Sequence, residues 1–198
     1  MLGVIAVMIG GIWIFIAPAG ENAEQQRLAQ ELSIVVGNVR AAGAAQSSLS
    51  GTADQMTNQM ILAGAIPSTM VRTGATCTNA STRCADGPWG PNGGAGAGAV
   101  TNAGSFAVCA WNTAANACAA AGVKSQFFGV EIRGMKTGSC VRAVTQNTSA
   151  EGPSGLIAVF INNTNVGSSL PVTVANAQAN CQAPATVDLV YRARAAAF

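Results

Sequence analysis

The sequence predicts an α+β fold in which a long N-terminal helix packs on an antiparallel sheet carrying short helices. Three observations predict it. An uncharged apolar run at residues 1–19 leads into a stretch with helical periodicity. The second half of the chain holds four runs rich in Val, Ile, Phe and Tyr, separated by helix-like segments. Six cysteines in a chain without histidine point to disulfides that lock the folded part.

Residues 1–20 form a hydrophobic stem. Its apolar side chains are Leu2, Val4, Ile5, Val7, Met8, Ile9, Ile12, Trp13, Phe15 and Ile16, and no Lys or Arg occurs before Arg27. At about 1.5 Å per residue, a helix over residues 1–19 spans roughly 28 Å, close to the hydrocarbon thickness of a bilayer. Such a stem either crosses a membrane or packs in a bundle of its own kind. A secretory signal peptide would begin with a basic region, which is absent, so the stem is expected to stay in the working protein.

Pro18 and Gly20 fall where polarity changes, and proline removes a backbone donor, so a break in the helix is expected there. From residue 21 the helical period resumes, with Leu28, Leu32, Val35, Val39 and Ala42 on one face. This amphipathic helix is expected over residues 21–50, ending at Gly51. Glu21 and Glu24 suit its start, where the helix dipole favours negative charge.

Asp54 helps begin a second helix, which Gly64 and Pro67 stop; Met56, Met60 and Ile61 give it an apolar side for core packing. Cys77 to Gly104, with the glycine-rich GPWGPNGGAGAGAV, reads as a surface loop. Its glycines lack the lysine and following helix of a phosphate cradle. Four strands are expected at residues 105–111, 126–132, 155–161 and 186–192, with short helices at 139–146 and 173–181.

The 198 residues divide into the stem and one head domain, residues 21–198. Charged residues make up 9% of the chain and the net charge is +2, with no basic run, so direct nucleic-acid binding is not expected. Six cysteines allow fifteen connectivities. Closeness in sequence favours Cys77 with Cys84 and Cys109 with Cys118, which leaves Cys140 with Cys181.

The absence of histidine removes Ser-His, Cys-His and His-ligated metal chemistry, so no catalytic residue, metal site or cofactor is assigned. Glu131 and Asp188 lie in expected strands and read as edge or solvent-facing acids paired with Arg133 or Arg192. Asn79, Asn147 and Asn162 each begin an N-glycosylation triplet, a pattern that arises readily by chance in a chain rich in Ser, Thr and Asn.

The stem LGVIAVMIGG, the stretch LAGAIPSTMV at 62–71, the PWG with trailing glycines at 88–94, the late pair Cys140 and Cys181, and the closing TVDLVYR come in an order that resembles the type IVb pilins. The resemblance implies a disulfide-bonded type IV pilin fold. It implies a structural subunit, not an enzyme, that polymerises into an extracellular type IVb pilus used for attachment, aggregation or conjugative DNA transfer.

The alternatives are a minor tip pilin or adhesin and a pseudopilin of a secretion system. The partners implied are identical subunits in a helical filament, the inner membrane before assembly, the pilus assembly machinery with a prepilin peptidase, and a cell-surface receptor. Pilins carry a glutamate at the fifth mature position, whereas Ile5 stands here, so the resemblance implies that the sequence begins inside the mature helix.

Overall fold

The computed structural model describes residues 2–44, 46, 48–73, 77, 83–90, 104–148, 155–167 and 170–193, with side chains from residue 22 onward. Helix α1 runs from Leu2–Ala44. The expected break at Pro18 and Gly20 is therefore corrected: the backbone stays helical through both residues. A mid-helix proline costs about 3 kcal/mol and a glycine about 1 kcal/mol. These are local costs, and strong helix formers follow in ENAEQQRLAQEL. The helix also ends at Ala44, earlier than Gly51, because Leu49–Ser50 is drawn into a strand, β1.

Helix α2, Ala53–Leu62, starts at Thr52, whose hydroxyl accepts from the Gln55 N–H while the Gln55 side chain accepts from the Thr52 N–H. This reciprocal cap satisfies two donors that a helix start leaves orphaned. Met56 and Met60 are buried as their spacing suggests. A 3-10 turn, Ser68–Met70, leads into β2, Val71–Thr73, and β3, Arg83–Ala85. Strand β3 lies inside the segment expected to be loop. Its Cys84 and Ala85 are buried, and pairing with β2 supplies the order that its composition does not.

The four strands and two helices expected after residue 104 are present in order, and three two-residue strands that were not expected lie among them: β4 Phe106–Asn112, the unexpected β5 Ala117–Cys118 and β6 Lys124–Ser125, β7 Phe127–Met135, α3 Thr137–Asn147, β8 Leu156–Ile161, the unexpected β9 Thr164–Asn165, α4 Val174–Asn180 and β10 Ala185–Arg192. An eight-stranded sheet runs β2-β3-β4-β7-β10-β8-β9, with β5 on β4, and all its pairs are antiparallel. The strands β1 and β6 pair separately.

Period-two alternation sorts the sheet into two faces. One face sends Phe106, Val108, Phe128, Val130, Ile132, Val159, Ile161, Val187 and Leu189 into the main core, where Leu28, Leu32, Val35 and Val39 of α1 meet them. The other face buries a smaller cluster of Cys109, Trp111, Phe160 and Val190. Trp111 lies flat on β7 because residue 129 is glycine; a Cβ there would stand 2.6 Å from the indole.

Disulfides join Cys77–Cys84, Cys109–Cys118 and Cys140–Cys181, the pairs that sequence closeness favours. The last one fastens the buried face of α3 to the end of α4, with Cα atoms 5.8 Å apart.

Candidate assembly surface

All six cysteines are in disulfides, and among the described residues no group of three or more His, Cys, Asp or Glu is placed to hold a metal ion. What the head offers is surface. One uncovered surface lies along α1.

Between residues 22 and 44 the helix shows two contrasting sides. Leu28, Leu32, Val35, Val36 and Val39 are buried against the head. The opposite side leaves Ala23, Gln26, Arg27, Gln30, Ser33, Ile34, Gly37 and Ala41 exposed. Ile34, at 49% exposure, is a large apolar side chain on that side, and with Ala29, Gln30 and Ser33 it lines a shallow depression. A Cβ added at Gly37 would meet nothing within 4 Å, so the glycine is not there to relieve crowding inside the subunit.

Arg27 is the only charged residue in this exposed stripe, and its charge is matched by Glu31 at 2.7 Å. A side that is small, nearly neutral and marked by one apolar knob lets another helix approach closely at little desolvation cost. Sequence reading singled out the buried stripe and passed over this one. Its signal was the complementary phase of the same period, which carries no hydrophobic pattern.

The stem side chains Leu2, Val4, Ile5, Val7, Met8, Ile9, Ile12, Trp13, Phe15 and Ile16 lie outside what is described, as does that of Pro18. Their backbone belongs to α1. Among the described residues no helix is long and apolar enough to cross a membrane.

Glu131 and Asp188 are not at an edge. They face each other across the central strands β7 and β10, and Asp188 is only 5% exposed. Arg133 pairs with Glu131 through two contacts of 2.8 and 2.5 Å and donates to the Gly104 carbonyl at 2.9 Å. Arg192, the other expected partner, instead lies over the Phe127 ring. Burial first, and the facing Glu131 second, push the Asp188 carboxyl up to about 7, against a smaller lowering by Arg133.

The expected glycine-rich loop falls largely on residues 91–103, outside the described set, but its flanks are described. Ser105 joins them: its hydroxyl accepts from the Gly87 N–H and donates to the Gly90 carbonyl. Its own N–H donates to Asp86, which is paired with Arg72 at 2.6 Å. Of the three glycosylation triplets, Asn79 lies outside the described residues. Asn147 donates its amide back to Ala143, and Asn162 sits in the β8–β9 turn with its amide engaged by Asn180 and Gln182.

No family model and no curated protein matches the sequence. A crystal structure of a type IVb pilin from Salmonella typhi superposes with a TM-score of 0.56, covering 83% of this chain and 99% of that one. The fold is that of a type IVb pilin. Sequence identity over the match is 16%, so the likeness is one of architecture. In this fold α1 packs one side into the head's core and leaves the other exposed.

Proposed function

We propose that this chain is a structural subunit that polymerises through its N-terminal helix into an extracellular type IVb pilus. The observation that carries the reading is α1: one stripe is built into the head, the opposite stripe is small, neutral and uncovered, and a charge-free apolar run precedes both. Residues 1–20 act as the stem and 21–198 as the head.

Before assembly the stem sits in the inner membrane, where helical backbone satisfies its own polar groups. In the filament the same side chains, Leu2, Val4, Ile5, Val7, Met8, Ile9, Ile12, Trp13, Phe15 and Ile16, pack into a core of stems, an environment as apolar as lipid. The stripe around Ser33, Ile34 and Gly37 receives a neighbouring helix. Pro18 and Gly20 mark where α1 is least stable, and there it yields as the subunit fits the lattice.

By likeness to pilins, a prepilin peptidase and an assembly machinery handle the subunit, and the finished pilus serves attachment, aggregation or conjugative DNA transfer, with the head meeting a cell-surface receptor. Its role is structural, with no catalytic step.

Intact mass and N-terminal sequencing of the polypeptide in filaments sheared from producing cells test this reading. Recovery as the abundant filament protein with its stem retained is the expected result. Recovery as a soluble protein in the medium, beginning near Gly20, overturns it.

A further inference from the structure

We propose that Asp188, Glu131 and Arg133 form a proton-linked switch on the outer face of the head sheet: a proton on Asp188 balances the cluster, and its loss draws Arg133 away from the turn at Gly104. The geometry starts from register. Asp188 and Glu131 are direct partners on adjacent antiparallel strands, which brings their side chains to within about 5 Å at Cβ. Two ionised carboxylates at that range, shielded from water, repel unless a cation serves both.

The cation present is Arg133, itself only 8% exposed. Its Nε and Nη2 are committed to Glu131 and its Nη1 to the Gly104 carbonyl. Among the described residues the Asp188 carboxyl has no hydrogen-bond partner, and no further charge faces it. Its partner on β8 is Phe160, the residue opposite Glu131 on β4 is Ala107, and the nearby β5 side chain is Cys118, whose sulfur lies 3.8 Å from Glu131 Oε2. With Asp188 protonated the cluster holds one negative and one positive charge. With Asp188 ionised it holds two negatives against one positive, and the burial that raises this carboxyl to about 7 places the change within the ordinary environmental range.

Arg133 is also the mechanical link. Its N–H donates to the Ser105 carbonyl at 2.8 Å, and its guanidinium holds Gly104, a residue at φ +93° where a Cβ would collide with the Ala85 carbonyl. To compensate a second carboxylate, the guanidinium must give up part of that hold. The turn that begins β4 therefore loosens as pH rises. The three groups belong to the head's own fold, so the response needs no neighbouring subunit.

The test uses the full chain in detergent micelles, labelled for carboxyl carbon NMR, together with amide hydrogen exchange. The Asp188 carboxyl is expected to titrate near 7, not near the 3.8 of an ordinary aspartate. Exchange at the Ser105 and Arg133 amides, corrected for its intrinsic pH dependence, is expected to rise several-fold from about pH 6 to about pH 8. The Asp188→Asn variant should abolish that rise. A midpoint in the ordinary range overturns the proposal, as does an exchange rise that persists in Asp188→Asn. A midpoint near 7 with unchanged exchange at both amides overturns the link to the turn. The wild-type titration decides the point even where the variant does not fold.

Discussion

Gly129 shows how one missing side chain sets the outer face of the sheet. Trp111 covers the space a methyl would fill, and Cys109 Sγ lies 3.3 Å from the same point. Gly129→Ala is therefore expected to destabilise the head by about 1–3 kcal/mol through overpacking, read as a lower midpoint in chemical denaturation followed by tryptophan fluorescence. Asp188 carries a second consequence at this scale. Its folded pKa of about 7 exceeds the unfolded value near 3.8, so the folded state holds the extra proton between those values. Stability is then full below about pH 4 as far as this group is concerned, and declines as pH rises through 7, by on the order of 4 kcal/mol at most. Asp188→Asn should flatten that part of the pH profile. The sequence did not reveal this acid's burial, because alternation in TVDLVYR places Asp188 opposite the core face but says nothing of what covers that side. Its neighbour in register on β8 is Phe160, whose ring lies 5.2 Å from that of Trp111.

Among the elements, α1, β4, β7, β8, β10, α3 and α4 were legible because each carries its own periodic pattern or β-branched run. Strands β2 and β3 were not, since their short segments become strands only by pairing with each other and with β4. The end of α1 was misjudged for a related reason: Leu49 serves a strand pair with Ser125 that no local signal announces. The bridge between α3 and α4 closes a loop of sequence separation 41, and its replacement by two serines, Cys140→Ser with Cys181→Ser, should cost about 4 kcal/mol in the loop-entropy picture, measured by calorimetry. On the free side of α1, Ile34→Glu is expected to change head stability by less than about 0.5 kcal/mol while abolishing polymerisation in a shearing assay. Unaltered filaments in that variant would remove this stripe from the assembly surface. Pro18 and Gly20 were read as a break, which the helical backbone of α1 contradicts. Helical residues on both sides carry α1 through them in the subunit, and a helix still unbroken there in the filament would show that assembly does not use this weakness.

For the molecule as a whole, the sequence order of stem, amphipathic helix, glycine-rich segment and cysteine-locked sheet led to the pilin fold even though identity to the matched pilin is only 16%. A fold can persist at such identity because the core needs apolar side chains at set phases more than it needs particular ones. The proposed assembly surface was less legible, since a stripe of Gln, Ser, Gly and Ala has no hydrophobic signature and acquires meaning only when the opposite side is seen to be filled. The central claim is that α1 builds the head with one side and the filament with the other. Electron cryomicroscopy of filaments sheared from producing cells tests it most directly. The expected result is this head repeated along the filament, with Ser33, Ile34 and Gly37 buried against a neighbouring helix and residues 2–20 gathered in a central bundle. Filaments built from another protein, or heads joined with that stripe still facing solvent, would contradict it.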